Sequence, residues 1–308
     1  MENTHDELKH FTYGLANIYL PMTQQTSTPN LHCIVIGNPI AHSQSPALHH
    51  AFAAQTGVAL RYQRQLCPVD EASFVAVIEA FFAGGGTGAN VTVPFKQTAF
   101  DLVQARGTLS QAAQAARAVN TLAWQDGALY GDNTDGRGLV NHMRELGWDL
   151  AGQNVLILGA GGATRGVVWA LLDAGVARIH IANRTPAKAQ AIVTQFATDN
   201  VSNTLSANLS ASGLFDLPQH TFDLVINATS SALTAEADAS LPFDSQLRAA
   251  KAYDLMYGKP SQFLQFFAEH GAKTSDGLGM LIHQGALSFA LWTGKNVDLV
   301  ALGNPFAH

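Results

Sequence analysis

The run "NVLILGAGGATRGVVWALLDAGVARIHIANRT", residues 154–185, limits the choice of fold more than any other stretch. An apolar strand passes into Gly159, Gly161 and Gly162, then into a helix, and a second apolar strand ends at Asn183. A strand, glycine loop, helix and strand of this length read as a β-α-β unit with parallel strands. Glycines lack the Cβ atoms that would hold a ligand away. The backbone can therefore approach a pyrophosphate, whose charge the first N–H groups of the helix attract. The pattern departs from G-x-G-x-x-G, because Thr164 stands at the third glycine position and the next glycine is Gly166.

The end of the second strand bears on which dinucleotide binds. An NAD site ordinarily carries Asp or Glu there for the ribose 2′-hydroxyl. This chain has Asn183, Arg184 and Thr185, followed by Lys188. A missing carboxylate and two cations favour NADP, since the planar fork of Arg184 can pair with a 2′-phosphate.

At 308 residues the chain exceeds a typical domain of ~100–150 residues, so two domains are expected. Before the glycine unit, "LHCIVIGNP", "LRYQRQLCPV" and "GANVTVPF" read as strands and "SPALHHAFAAQTG" and "EASFVAVIEAFFAGGG" as helices. Ser45 is the expected N-cap of the first helix, Pro46 its first turn and Gly57 its end. "TLAWQDGALYGDN" reads as a hairpin turning on Asp126-Gly127. A helix over 135–146 leads into the glycine unit, and "FDLVINATS" and "AAKAYDLMY" supply further strands. The expected fold class is thus α/β, with an N-terminal α/β substrate domain over 31–134 and a Rossmann-like doubly wound NADP domain over 135–276. The C-terminal segment 277–308 is expected to pack back on the first domain, and residues 1–30, polar and unperiodic, read as a disordered extension.

Charge and apolar runs exclude several classes. The net charge is −6 with no basic cluster, so no nucleic-acid face is expected. No run reaches the ~18–20 apolar residues that span a bilayer, and no signal peptide is apparent, so no membrane partner and a cytoplasmic location are expected. Cys33 and Cys67 sit in apolar strand-like runs and read as buried, reduced thiols. The histidines show no metal-ligand spacing, and no metal is assigned. Oligomeric state is unassigned, with a homodimer left open.

Polar residues gather immediately after apolar strands, where α/β proteins bind ligands. "GNPIAHSQSP" offers Ser43 and Ser45, "NVTVPFKQ" offers Thr92 and Lys96, "AVNTL" offers Asn120, and "GDNTDGRG" offers Asp135. The set reads as a pocket for a small polyhydroxylated acid. Lys96 is the oddity among them, because a cation at a helix start opposes the helix dipole and wants a reason.

Through "GNPIAHSQSP", "NVTVPFK", "AVNTL", "GDNTDG", "GAGGATRG", "NRT", "NATSS", "DLMYGKP" and "GLGMLIHQGALSF", the chain resembles the shikimate dehydrogenase family. The resemblance runs from Leu31 to the last helix. It implies NADPH-dependent reduction of 3-dehydroshikimate to shikimate in aromatic amino-acid biosynthesis. It also implies Lys96 and Asp135 as a catalytic pair, with Ser43, Ser45 and Tyr257 on the substrate carboxylate and Thr92, Asn120 and Gln284 on its hydroxyls. For the cofactor it implies Gly159, Ala160, Gly161, Gly162 and Ala163 at the pyrophosphate, Asn183 to Lys188 at the adenosine phosphate, and Leu255 and Gly277 near the nicotinamide.

Three departures stand out: Arg117 replaces the family's usual glycine, Gln111 stands where an acidic residue is common, and the segment from Lys96 to Asn120 is a few residues long. Among alternatives, a quinate/shikimate dehydrogenase often has an acidic residue where Asn183 stands. A methylenetetrahydrofolate dehydrogenase fits the paired serines poorly. A non-catalytic NADP-sensing protein is expected to have lost the lysine and aspartate.

Overall fold

The computed structural model describes residues 30–198, 208–218, 220–229 and 246–306. The extension expected over 1–30 lies outside the described residues but for Asn30. Two six-stranded sheets organise the rest.

The first sheet runs β2-β1-β3-β5-β6-β4, from β1 (Leu31–Gly37), β2 (Leu60–Leu66), β3 (Gly88–Val91), β4 (Gly107–Leu109), β5 (Thr121–Gln125) and β6 (Ala128–Asp132). The helices α1 (Ser45–Thr56) and α2 (Glu71–Ala83) cross between β1, β2 and β3, which are therefore parallel. The β5–β6 hairpin is antiparallel, and its turn has Asp126 at φ 51° and Gly127 at φ 78°. Two successive positive φ values match the strand twist, as the Asp-Gly dipeptide indicates.

The expected third strand is longer than the observed one. β3 stops at Val91, Thr92 to Phe95 form a turn closed by Phe95 N–H to Thr92 O at 3.0 Å, and Lys96 opens α3 (Lys96–Arg106). The extra length before Asn120 is taken up by α3, β4 and α4 (Gln111–Ala116). Arg117 ends α4 with a left-handed backbone, φ 46°, a conformation that glycine adopts without strain.

The second sheet is parallel throughout, in the order β12-β11-β10-β7-β8-β9. Its strands are β7 (Asn154–Leu158), β8 (Arg178–Asn183), β9 (Leu209–Gly213), β10 (Thr221–Asn227), β11 (Arg248–Asp254) and β12 (Lys273–Ser275). Strand order reverses at β7, which pairs with β8 on one side and β10 on the other, so a crevice opens at their carboxyl ends. The helices α6 (Gly162–Asp173), α7 (Pro186–Thr198) and α8 (Gln262–Glu269) flank this sheet.

Two helices join the sheets. α5 (Asp135–Glu145) leaves the first sheet, and α9 (Leu278–Thr293) returns to it, packed on α5 and α1. The indole of Trp292 donates to Leu122 O at 3.0 Å and fills the space over Gly88, where a Cβ would lie 2.2 Å from its Nε1. The C-terminal helix thus packs back on the first sheet. α5 also crosses α6 closely, because a Cβ on Gly136 would sit 2.1 Å from Gly166 O.

Candidate active site

Lys96 is planted by its neighbour. Phe95 is buried and stacks on Phe74 with ring centroids 4.9 Å apart, which fixes the turn from which α3 starts. Backbone bonds then bring the "AVNTL" segment alongside: Val119 N–H reaches Lys96 O at 2.9 Å and Val91 N–H reaches Asn120 O at 2.7 Å.

Asp135 is the first residue of α5, where the helix dipole favours a carboxylate. Its Oδ2 accepts from Lys96 Nζ at 2.6 Å, with side-chain exposures of 19% for the lysine and 10% for the aspartate. This carboxylate is the partner that the lysine at a helix start calls for. Its Oδ1 accepts from Asn120 Nδ2 at 2.8 Å. Gln284 on α9 joins through Oε1, 3.4 Å from both Asn120 Nδ2 and Thr134 Oγ1. Lys96, Asn120, Asp135 and Gln284, far apart in the chain, form one hydrogen-bonded group.

Ser43, Ser45 and Thr92 occupy the neighbouring loops. Thr92 is bound to β1 by its N–H to Ile36 O at 3.0 Å and packs over Gly37, where a Cβ would lie 2.5 Å from Thr92 Cγ2. The expectation that Ser45 caps α1 is corrected: Gln44 holds the cap position and Ser45 is the first helical residue. Ser43 Oγ accepts the Ser45 N–H at 3.3 Å, so the earlier serine turns the chain into the helix. Arg64 on β2, not singled out from the sequence, holds this loop with Nε and Nη2 donating to Ser43 O at 3.0 and 2.6 Å. Its signal was a cation two residues after a buried tyrosine on an otherwise exposed strand. Tyr257, half-buried after β11, has its phenol pushed above the usual range by burial.

The glycine loop lies at the β7/β10 crevice. Gly159 has φ 108°, and a Cβ there would lie 3.0 Å from the Ala228 backbone just after β10. Gly161 and Gly162 face open space, and no side chain caps α6. These are the features a pyrophosphate needs. Thr164, at the third glycine position, is fully buried and ties the loop by donating to Gly159 O at 3.1 Å. Gly166 provides the close packing instead, against Asn133 and Gly136. At the end of β8, Arg184, Thr185 and Lys188 are exposed, while Asn183 Nδ2 donates to Thr185 O at 2.9 Å and shapes the turn. Gly277 packs against Leu255, where a Cβ would sit 2.2 Å from Leu255 O, so these two residues do meet beside the loop after β11.

Both cysteines are free and buried, and burial pushes the Cys33 thiol up to about 12. Among the described residues no helix is long and apolar enough to cross a membrane.

Comparison with known proteins identifies the family. Residues 35–122 match the family described as shikimate dehydrogenase substrate binding domain, 141–239 match shikimate/quinate 5-dehydrogenase, and 277–301 match shikimate 5′-dehydrogenase C-terminal domain. A protein of Psychrobacter cryohalolentis named shikimate dehydrogenase (NADP(+)) is 51% identical, over 87% of this chain and 95% of its own. One of the same name from Acinetobacter baumannii is 48% identical, over 86% and 96%. Among solved structures, shikimate 5-dehydrogenase of Thermus thermophilus in complex with NADP(H) and shikimate superposes with a TM-score of 0.75. It shares 32% identity over 88% of this chain and 97% of its own. On these grounds the chain belongs to the shikimate dehydrogenase family, oxidoreductases that act on a CH–OH group.

Proposed function

We propose that the protein catalyses the reversible reduction of 3-dehydroshikimate to shikimate with NADPH, in the cytoplasm, with Lys96 as the acid and base. The observation that carries this reading is the Lys96–Asp135 contact at 2.6 Å, in one hydrogen-bonded group with Asn120 and Gln284. Relatives named shikimate dehydrogenase (NADP(+)) support the substrate and the cofactor.

A nicotinamide held near Leu255 and Gly277 would supply hydride chemistry for the ketone carbon. Negative charge then develops on the carbonyl oxygen and needs a cation or a proton beside it. Lys96 offers both: its ammonium attracts the oxygen and transfers a proton to it as the hydroxyl forms. In the reverse direction the neutral amine accepts that proton. Asp135 holds the amine in direction through Oδ2 while Asn120 occupies Oδ1.

In this reading Ser43, Ser45 and Tyr257 bind the substrate carboxylate, and Thr92, Asn120 and Gln284 bind its hydroxyls. The first domain, 31–134, carries the substrate. The second, 135–276, carries NADP at Gly159 to Ala163, with the adenosine phosphate on Asn183 to Lys188 and the nicotinamide near Leu255 and Gly277. Initial rates with shikimate and NADP+, set against NAD+ and against quinate, test the assignment. Shikimate with NADP+ is expected to be fastest by at least about tenfold, a difference that one charged contact can supply. Equal rates with quinate, or with NAD+, contradict it.

A further inference from the structure

Behind the candidate site lies a group of polar side chains that the proposed chemistry does not use: Tyr62, Asn90, Thr121 and Ser288. All are buried, Thr121 and Ser288 completely. They come from β2, β3, β5 and α9 and meet only because the sheet and the returning helix close over them. Buried polar groups of this kind cost stability unless every donor finds an acceptor, so their hydrogen bonds should have a definite direction.

The orientations of the two amides are fixed by partners that can only donate or only accept. Thr134 N–H donates to Asn120 Oδ1 at 2.8 Å, and a backbone N–H can only donate, so the Asn120 amide nitrogen must face Asp135. Asn90 is oriented likewise, because its Nδ2 lies 3.4 Å from Asn120 O, an acceptor only, while its Oδ1 accepts from Tyr62 Oη at 2.7 Å. Burial holds the Tyr62 phenol well above its usual range, so it remains a donor. Asn90 Nδ2 also has two hydroxyl acceptors, Ser288 Oγ at 3.0 Å and Thr121 Oγ1 at 3.2 Å. The Ser288–Thr121 contact at 2.8 Å needs one proton between the two oxygens. Ser288 Oγ also lies 3.1 Å from Gln284 O, a carbonyl that only accepts and that already takes a helical N–H within α9; with the Ser288 proton on Thr121 instead, the Thr121 proton goes to Asn120 Oδ1 at 3.0 Å.

We propose that Thr121 is a positioning residue for the Lys96–Asp135 pair, the middle of a one-way chain of donors from Tyr62 through Asn90, Ser288, Thr121 and Asn120 to Asp135. Together with the Thr134 N–H, the chain holds the Asn120 amide so that it occupies Asp135 Oδ1 and leaves Oδ2 to the lysine. Hydrogen bonds that point the same way polarise one another, which strengthens the last bond onto the carboxylate. This inference rests on the proposed role of Lys96 and Asp135.

The test measures shikimate oxidation by the full chain carrying Thr121→Val, Thr121→Ser, Ser288→Ala or Asp135→Asn. Thr121→Val keeps the shape and removes the hydroxyl. It should lower kcat about five- to tenfold, the size of one buried hydrogen bond, with KM for NADP+ unchanged. Thr121→Ser should restore kcat to within about twofold of wild type. Ser288→Ala, which removes little volume, should lower kcat in the same sense and serves if the valine variant does not fold. A Thr121→Val or Ser288→Ala enzyme with wild-type kcat, or a Thr121→Ser enzyme as slow as the valine variant, overturns the chain. If Asp135→Asn is slow while Thr121→Val is not, the chain alone fails. If Asp135→Asn itself keeps wild-type kcat, the catalytic pair fails and the chain with it.

Discussion

Lys96 Nζ lies 2.6 Å from Asp135 Oδ2, although each residue opens a different helix and the two stand 39 residues apart in the chain. The two helix starts have opposite electrostatic consequences: the dipole favours the aspartate and disfavours the lysine. Their contact gives the unfavourably placed lysine a carboxylate partner.

Arg64 grips Ser43 O with two donors and brings a positive charge to the loop proposed for the substrate carboxylate. Arg64→Gln is expected to raise KM for shikimate about three- to tenfold while leaving kcat and KM for NADP+ near wild type. Arg64→Lys should recover part of the loss, since it restores the charge without the planar fork. An unchanged KM in the glutamine variant would show the contact to be a surface strut.

Two glycines should separate packing from ligand approach. A Cβ on Gly138 would lie 2.7 Å from Gln284 N, whereas one on Gly161 would meet nothing within 4 Å. Gly138→Ala should therefore push α9 from α5 and cost about 1–3 kcal/mol of stability, read from urea unfolding. Gly161→Ala should unfold like wild type yet bind NADP+ more weakly, read by fluorescence titration. Wild-type NADP+ affinity in that variant would count against the glycine loop as the pyrophosphate site.

Arg184 and Lys188 are exposed at the end of β8. Replacing both with alanine should raise KM for NADP+ about 10- to 100-fold and change KM for NAD+ little, because only the 2′-phosphate loses its partners. Equal losses with both cofactors would place the cations elsewhere in the binding.

His49 is completely buried, stacked on Tyr62 at 4.4 Å, and among the described residues neither ring nitrogen has a hydrogen-bond partner. Burial pushes its pKa down to about 3. The unfolded chain binds this proton near pH ~6.5 and the folded chain does not, so stability is full above that pH and falls as pH drops toward the folded value. Between pH 7 and pH 5 the loss should be about 2 kcal/mol from this group. His49→Phe keeps a stacked ring and should remove that part of the pH dependence. The same slope in both proteins would assign the acid sensitivity to other groups.

Much of this fold is legible locally. The glycine unit, the Asp126-Gly127 hairpin and the left-handed Gly57 that ends α1 are each written in a few adjacent residues. Of the elements that the sequence reading does not give, β4 and β12 have three residues each and α4 is a six-residue run of alanine and glutamine, whereas α3 and α7 are longer, with 11 and 13 residues. Ser45 reads as a cap in sequence, but Ser43, two residues earlier, carries the hydroxyl that turns the chain. The site is legible only in part for the same reason. Lys96, Asn120 and Asp135 stand in marked loops, whereas Thr121 and Ser288 are 167 residues apart and look like ordinary strand and helix residues until the chain closes on itself. Arg64 is one exposed cation on an edge strand until its guanidinium is seen on Ser43.

The central claim is that Lys96 moves the proton. Lys96→Met keeps the length and apolar stem of the side chain while removing the amine, so kcat should fall by about 10²-fold or more in both directions, with NADPH affinity by fluorescence titration unchanged. Turnover near wild type, with NADPH bound normally, contradicts the account.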